Sequence, residues 1–188
     1  MKVTIASQAC LLLLGFKKHD YFANVLTIIV TPSTMVDDAH GSGGLVHQDA
    51  LRIQGQTSYR GPVLLSWTDA RGGVRNHDDG HNVVLHEFAH KLDMMDHLVD
   101  GTPLLRHRSD YQPWIEVMTL EYESLVEAAE DGRRSFLDHY GATNPGEFFA
   151  VATECFFEQG RTMQDKHQRL YEVLRQYYGQ DPASRNMR

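Results

Sequence analysis

The sequence predicts an α+β fold, and three observations predict it. Short runs of branched apolar residues stand in the first part of the chain, segments with helical periodicity fill the second half, and no repeat or linker separates them. Strands first and helices afterwards is the order of an α+β domain with a small sheet. The 188 residues suffice for a hydrophobic core of their own. We expect a single domain over residues 3–182 and a frayed end at 183–188.

Each element follows from local chemistry. Residues 3–14, VTIASQACLLLL, read as a helix that stops at Gly15. The leucine run follows Cys10 instead of preceding it, the reverse of a lipoprotein signal, so a helix is favoured over a leader. Residues 24–30, NVLTIIV, are rich in branched side chains and meet Pro32, as a buried strand would. Residues 37–44, DDAHGSGG, read as a loop, and residues 45–53 fit neither period. Residues 63–67, VLLSW, follow Gly61 and Pro62 as a second strand. Residues 71–80, RGGVRNHDDG, carry turn formers and read as a connection.

Three helices then follow. Over residues 113–130, Trp114, Met118, Tyr122, Leu125 and Ala129 recur on one stripe. Asn144 and Pro145 form a cap followed by proline at the first helical position, opening a helix over 145–158. A last helix covers residues 163–178.

Composition narrows the function classes. The net charge of -7 argues against nucleic acid as a partner, because phosphate binding needs a Lys/Arg surplus. No apolar run approaches the roughly 20 residues of a membrane span, so no membrane partner is expected. The chain has 2 cysteines without CxxC spacing, which suits a reducing, cytoplasmic setting.

Within NVVLHEFAHKLD, residues 82–93, two imidazoles and a carboxylate interrupt an apolar stretch. His86-Glu87-Phe88-Ala89-His90 is HExxH. On a helix, positions four apart differ by only about 40° in azimuth, so both rings can reach one ion. Glu87 lies about 100° further round, where it reaches a water in the ion's open position instead of the ion. That is the arrangement of a hydrolase whose carboxylate moves the water's proton to the leaving amine. Two hydrogen-bonded core histidines beside a surface glutamate are the competing reading.

A third ligand remains open. Asp96 lies where one zincin class places it, but that class needs a glycine three residues after the second histidine, and Asp93 stands there. Glu116, Glu123, Glu127 and Glu130 mostly lie opposite the apolar stripe of their helix, as solvated residues do. Glu147 and Glu154 share one face of a helix apolar nearly all round. Glu147 also fits a capping box with Asn144, and Glu147, Glu154 and Glu158 fit a polar stripe facing water.

The stretches TIASQACLLLL, GPVLLSW, DDGHNVVLHEFAHKLDMMD and YGATNPGEFFAVATECFFE closely resemble zinc peptidases of the Mlc titration factor A type. The resemblance covers nearly the whole chain. It implies a zincin-like fold and one Zn2+ held by His86, His90 and Glu147, with Glu87 as general base. It also implies that Tyr140, by itself a packing aromatic, stands beside the metal and donates to the oxyanion. Asp93 and Glu154 would orient the ligating imidazoles, and residues 61–67 would be the edge strand along which an extended peptide lies. The implied activity is aminopeptidase-like, on peptide or protein substrates. Because family members of enteric bacteria bind the glucose repressor Mlc, the alternative function is a regulatory module that sequesters a transcriptional repressor.

Overall fold

The computed structural model describes residues 1–17, 21–33 and 61–185. The expected loop at 37–44 and the segment 45–53 lie outside the described residues. Among the described residues the chain is mostly helical, with a small two-stranded sheet, and no helix is long and apolar enough to cross a membrane.

Helix α1 (Lys2–Leu11) buries Ile5 and Ala9. Beyond it, Leu12, Leu13 and Leu14 donate to carbonyls three residues back, so the helix tightens into turns before Gly15. Strands β1 (Ile28–Thr31) and β2 (Val63–Ser66) pair in parallel, with Ile28 opposite Val63. The expectation of a buried first strand over 24–30 is corrected on both counts. β1 begins later, and Ile28 and Ile29 are exposed. β2 packs against the following helices and takes the interior place, leaving β1 outside.

Helix α2 (Trp67–Arg75) replaces the first half of the turn-rich connection expected at 71–80, and turns fill the rest. Ser66 ends the strand and caps the helix, its hydroxyl accepting from the Asp69 N–H. A Cβ on Gly73 would lie 2.8 Å from Nδ2 of Asn82. That glycine is therefore a packing residue inside a helix, where local rules read a turn former.

Helix α3 (Val83–Asp93) is followed by α4 (Tyr111–Glu130), whose Trp114, Val117, Met118, Leu125 and Ala128 are buried. α5 (Pro145–Glu158) is the central element: all its residues except Pro145 and Phe157 are buried. Around it pack Trp114, Tyr171, Tyr177 and Tyr178, in edge, tilted and stacked contacts with Phe149 and Phe156.

The last expected helix is two helices, α6 (Gly160–Lys166) and α7 (Gln168–Tyr178). His167 leaves helical geometry between them, at φ -132° and ψ 54°. Its Nδ1 lies 2.8 Å from Oε2 of Glu121 on α4, and its ring stacks on Phe136. The chain beyond α7 also packs further than expected. Pro182 and Ala183 are buried, and the Ala183 N–H donates to the Tyr171 hydroxyl at 3.0 Å.

Gly101 ties the helices that carry the site. Its N–H donates to Asp93 at 3.1 Å, its carbonyl accepts from the Trp114 indole at 3.1 Å, and its φ is +76°. A Cβ there would stand 2.4 Å from the Pro145 carbonyl oxygen at the start of α5. Gly101→Ala should therefore cost about 1–3 kcal/mol in backbone strain alone. The melting temperature should drop by several degrees. An unchanged melting curve would refute this account of Gly101.

Candidate metal centre

α3 begins at Asn82, whose side-chain oxygen accepts from the Val84 and Leu85 N–H groups, both at 3.2 Å. Its apolar residues Val84, Leu85, Phe88, Ala89 and Leu92 are buried. The helix is thereby held against the core, and His86 and His90 are turned toward α5. α5 begins at Asn144, whose side chain accepts from the Glu147 N–H at 3.0 Å. Glu147 thus stands in the first turn of α5, fully buried.

The three side chains meet. His86 Nε2 lies 3.0 Å from Glu147 Oε2, His90 Nε2 lies 3.2 Å from the same oxygen, and the two Nε2 atoms are 3.2 Å apart. A tetrahedral ion with bonds of about 2.0–2.1 Å spaces its ligands about 3.3–3.4 Å apart. The triangle therefore fits one face of such a site. Among the described residues, His86, His90 and Glu147 form a group able to hold a metal ion.

Electrostatics agree with geometry. Burial disfavours a charged His86, yet hydrogen bonds to Glu147 and Glu154 outweigh it and push its pKa up to about 10. Burial would raise the Glu147 carboxyl, but His86 and His90 hold it well below the usual carboxylate range. Both shifts are two sides of one contact, an ionised carboxylate held against two imidazoles.

The other candidates separate. The polar stripe expected to face water is not formed, since Glu147, Glu154 and Glu158 are all buried. Helix α5 buries all of its residues except Pro145 and Phe157, so its three glutamates form no solvated stripe. Asp96 spends one oxygen on the Leu98 N–H at 3.0 Å and stands outside the triad. Glu116, Glu123, Glu127 and Glu130 are exposed on α4.

Glu154 meets its expectation: one oxygen accepts from His86 Nδ1–H at 2.6 Å, and the other from the Asn82 N–H. Asp93 does not. Its carboxylate is taken by the Gly101 N–H, and its Oδ1 and His90 Nδ1 are both buried without a hydrogen-bond partner among the described residues. Burial, chiefly, pushes the Asp93 pKa up to about 7.

Glu87 sits half-buried on α3, close enough for its charge to favour protonated His86. Tyr140 lies in a short 3-10 turn, His139–Ala142, capped by Asp138. Its ring centroid is 5.9 Å from that of His86. Sequence reasoning passed over Lys91, a buried lysine that donates to the Gly61 carbonyl at 2.8 Å and ties α3 to the start of β2. Its signal was a lone cation in an apolar stretch. Asn82 and Glu158 were missed as a pair, because nothing local relates them.

The sequence family described as glucose-regulated metallo-peptidase M90 matches residues 1–179. The chain is 40% identical over 185 residues to an uncharacterized protein of Synechocystis sp., covering 97% of this chain and 67% of that one. It is 34% identical over 186 residues to Mlc titration factor A of Escherichia fergusonii, covering 96% and 69% of the two chains. To Mlc titration factor A of Cronobacter sakazakii it is 33% identical over 190 residues, again 96% and 69%. A metallopeptidase family implies a divalent metal, and the chain offers a possible ligand triad for one. Similarity along nearly the whole length thus leads where the geometry led: the chain belongs to the glucose-regulated metallo-peptidase M90 family.

Proposed function

We propose that the protein is a zinc-dependent, zincin-like peptidase of the cytoplasm that hydrolyses peptide bonds in peptide or protein substrates. The observation that carries this reading is the triangle of His86 Nε2, His90 Nε2 and Glu147 Oε2, with edges of 3.0–3.2 Å. These three side chains would hold the ion. Two imidazoles, one carboxylate and an open position are the usual set for hydrolytic zinc.

When bound, zinc supplies Lewis-acid chemistry, making water acidic and polarising the scissile carbonyl. The chain's own residues do the rest. Glu87 takes the proton of the attacking water and delivers it to the leaving amine. The Tyr140 hydroxyl donates to the oxyanion of the tetrahedral intermediate. Glu154 keeps His86 protonated on Nδ1, so that Nε2 presents its lone pair.

The test is direct. Protein purified without added metal should contain zinc by elemental analysis, and peptide hydrolysis should stop on chelation and return with zinc. Protein that takes up no ion would end the proposal. Tyr140→Phe should retain zinc while turnover drops on the order of 10²-fold; equal turnover would make the tyrosine a packing residue.

The aminopeptidase-like preference rests on the family resemblance. Cleavage of amino-acid p-nitroanilides but not of their N-acetylated forms supports it, and the reverse discards it. A second reading, sequestration of a transcriptional repressor, is supported by relatives named Mlc titration factor A.

A further inference from the structure

Asn82 makes more hydrogen bonds than helix capping requires. Its side-chain oxygen caps α3, its backbone N–H donates to Glu154 Oε2, and its Nδ2 donates to Glu158 Oε1 at 2.9 Å. The second oxygen of Glu158 accepts from the Gly80 N–H at 3.1 Å. A continuous chain of contacts therefore runs from Gly80 through Glu158, Asn82 and Glu154 to Nδ1 of His86. Asn82 is 5% exposed, Glu154 6% and Glu158 8%, so water does not compete well for these bonds.

The consequence is orientational. A carboxylate bonded through one oxygen swings about its side-chain torsions. Glu154 is bonded through both, one oxygen on an imidazole and the other on a backbone amide, which fixes its plane. That amide is itself held only as firmly as residue 82, and Glu158 grips residue 82 from the far helix turn of α5. Asn82 and Glu158 line a separate cleft of about 1020 Å³ that none of His86, Glu87, His90, Tyr140 or Glu147 lines. Substituting their side chains leaves those five side chains in place, and the backbone bond from the His86 N–H to the Asn82 carbonyl, at 2.9 Å, does not depend on the residue at 82.

We propose that Asn82 and Glu158 are positioning residues of the metal centre. Glu158 holds Asn82, and the Asn82 N–H holds Glu154 so that its other oxygen keeps His86 in the tautomer whose Nε2 faces the ion. This rests on reading His86 as a metal ligand.

A donor–acceptor exchange tests it. Asn82→Asp preserves the cap but sets a carboxylate against Glu158; Glu158→Gln sets an amide N–H against one of the two donors, Asn82 Nδ2 or the Gly80 N–H, and keeps an acceptor for only the other. In the double variant, the position-158 amide donates to the position-82 carboxylate and its oxygen still accepts from Gly80, so the link is restored with its polarity reversed. Zinc affinity is measured by competition with a chromophoric chelator, and Co2+-loaded protein is examined by visible absorption. Each single variant should bind zinc roughly tenfold more weakly and shift the cobalt bands, and the double variant should recover both.

A purely structural staple would lower the melting temperature of the singles without moving the cobalt bands, and that result overturns the proposal. So do singles with wild-type affinity, or a double variant that recovers neither property. Wild-type protein that binds neither zinc nor cobalt instead overturns the ligand reading of His86 and takes this proposal with it. Should one single variant fail to fold, the double variant against the other single carries the same comparison.

Discussion

Glu87→Gln should abolish peptide hydrolysis while leaving zinc content and fold intact. The side chain is half-buried, and glutamine matches its shape, so neither a cavity nor a packing clash follows. What disappears is the ability to take and return a proton, worth about 10²–10⁴ in rate. The measurement is kcat/KM beside elemental analysis of the same preparation. A variant keeping more than a tenth of wild-type activity would remove Glu87 from the mechanism. The same variant separates the two functional readings. If sequestration of an Mlc-like repressor is the protein's task, binding to that repressor survives in the inactive protein. If hydrolysis is the task, the cellular effect disappears with activity.

Glu147→Ala should deplete the metal. Orienting groups behind a ligand typically cost about 10–100-fold in metal affinity when removed, and a ligand itself should cost more. Glu147 is fully buried, its Oε2 lies 3.0 Å from His86 and 3.2 Å from His90, and alanine leaves nothing to close the triangle. Zinc retained after gel filtration should fall to a small fraction of one per chain, whereas Glu116→Ala, on the exposed side of α4, should retain all of it. Full occupancy in Glu147→Ala would move the third ligand elsewhere, with Glu154, whose carboxylate lies 2.6 Å from His86 Nδ1, the first to examine.

The helices with strong local signals were legible as written. The cap and proline at 144 and 145 place α5 over Pro145–Glu158, and the structure starts and ends it there. The apolar run after Asn82 likewise marks α3. Misreadings share one cause. Gly73 looks like a turn former until Asn82 is seen to need its space, and His167 looks helical until Glu121 and Phe136 are seen to hold it out of line. Ala183 looks like the start of a frayed end until Tyr171 is seen to accept from its N–H. In each case a distant partner overrode local preference.

The candidate site divides along the same line. His86, Glu87 and His90 share one helix, so 3.6 residues per turn is enough to set their relation, and the sequence by itself determined that two imidazoles converge. Glu147 is 61 residues from His86 and 57 from His90. Between a ligand, a cap and a solvated glutamate, periodicity had no means to choose. Only the packing of α5 against α3 excluded the solvated reading: burying both faces brings the carboxylate against two imidazoles, away from water. The same packing leaves Asp93 without a bond to His90: its Oδ2 accepts from the Gly101 N–H, and its Oδ1 has no hydrogen-bond partner among the described residues.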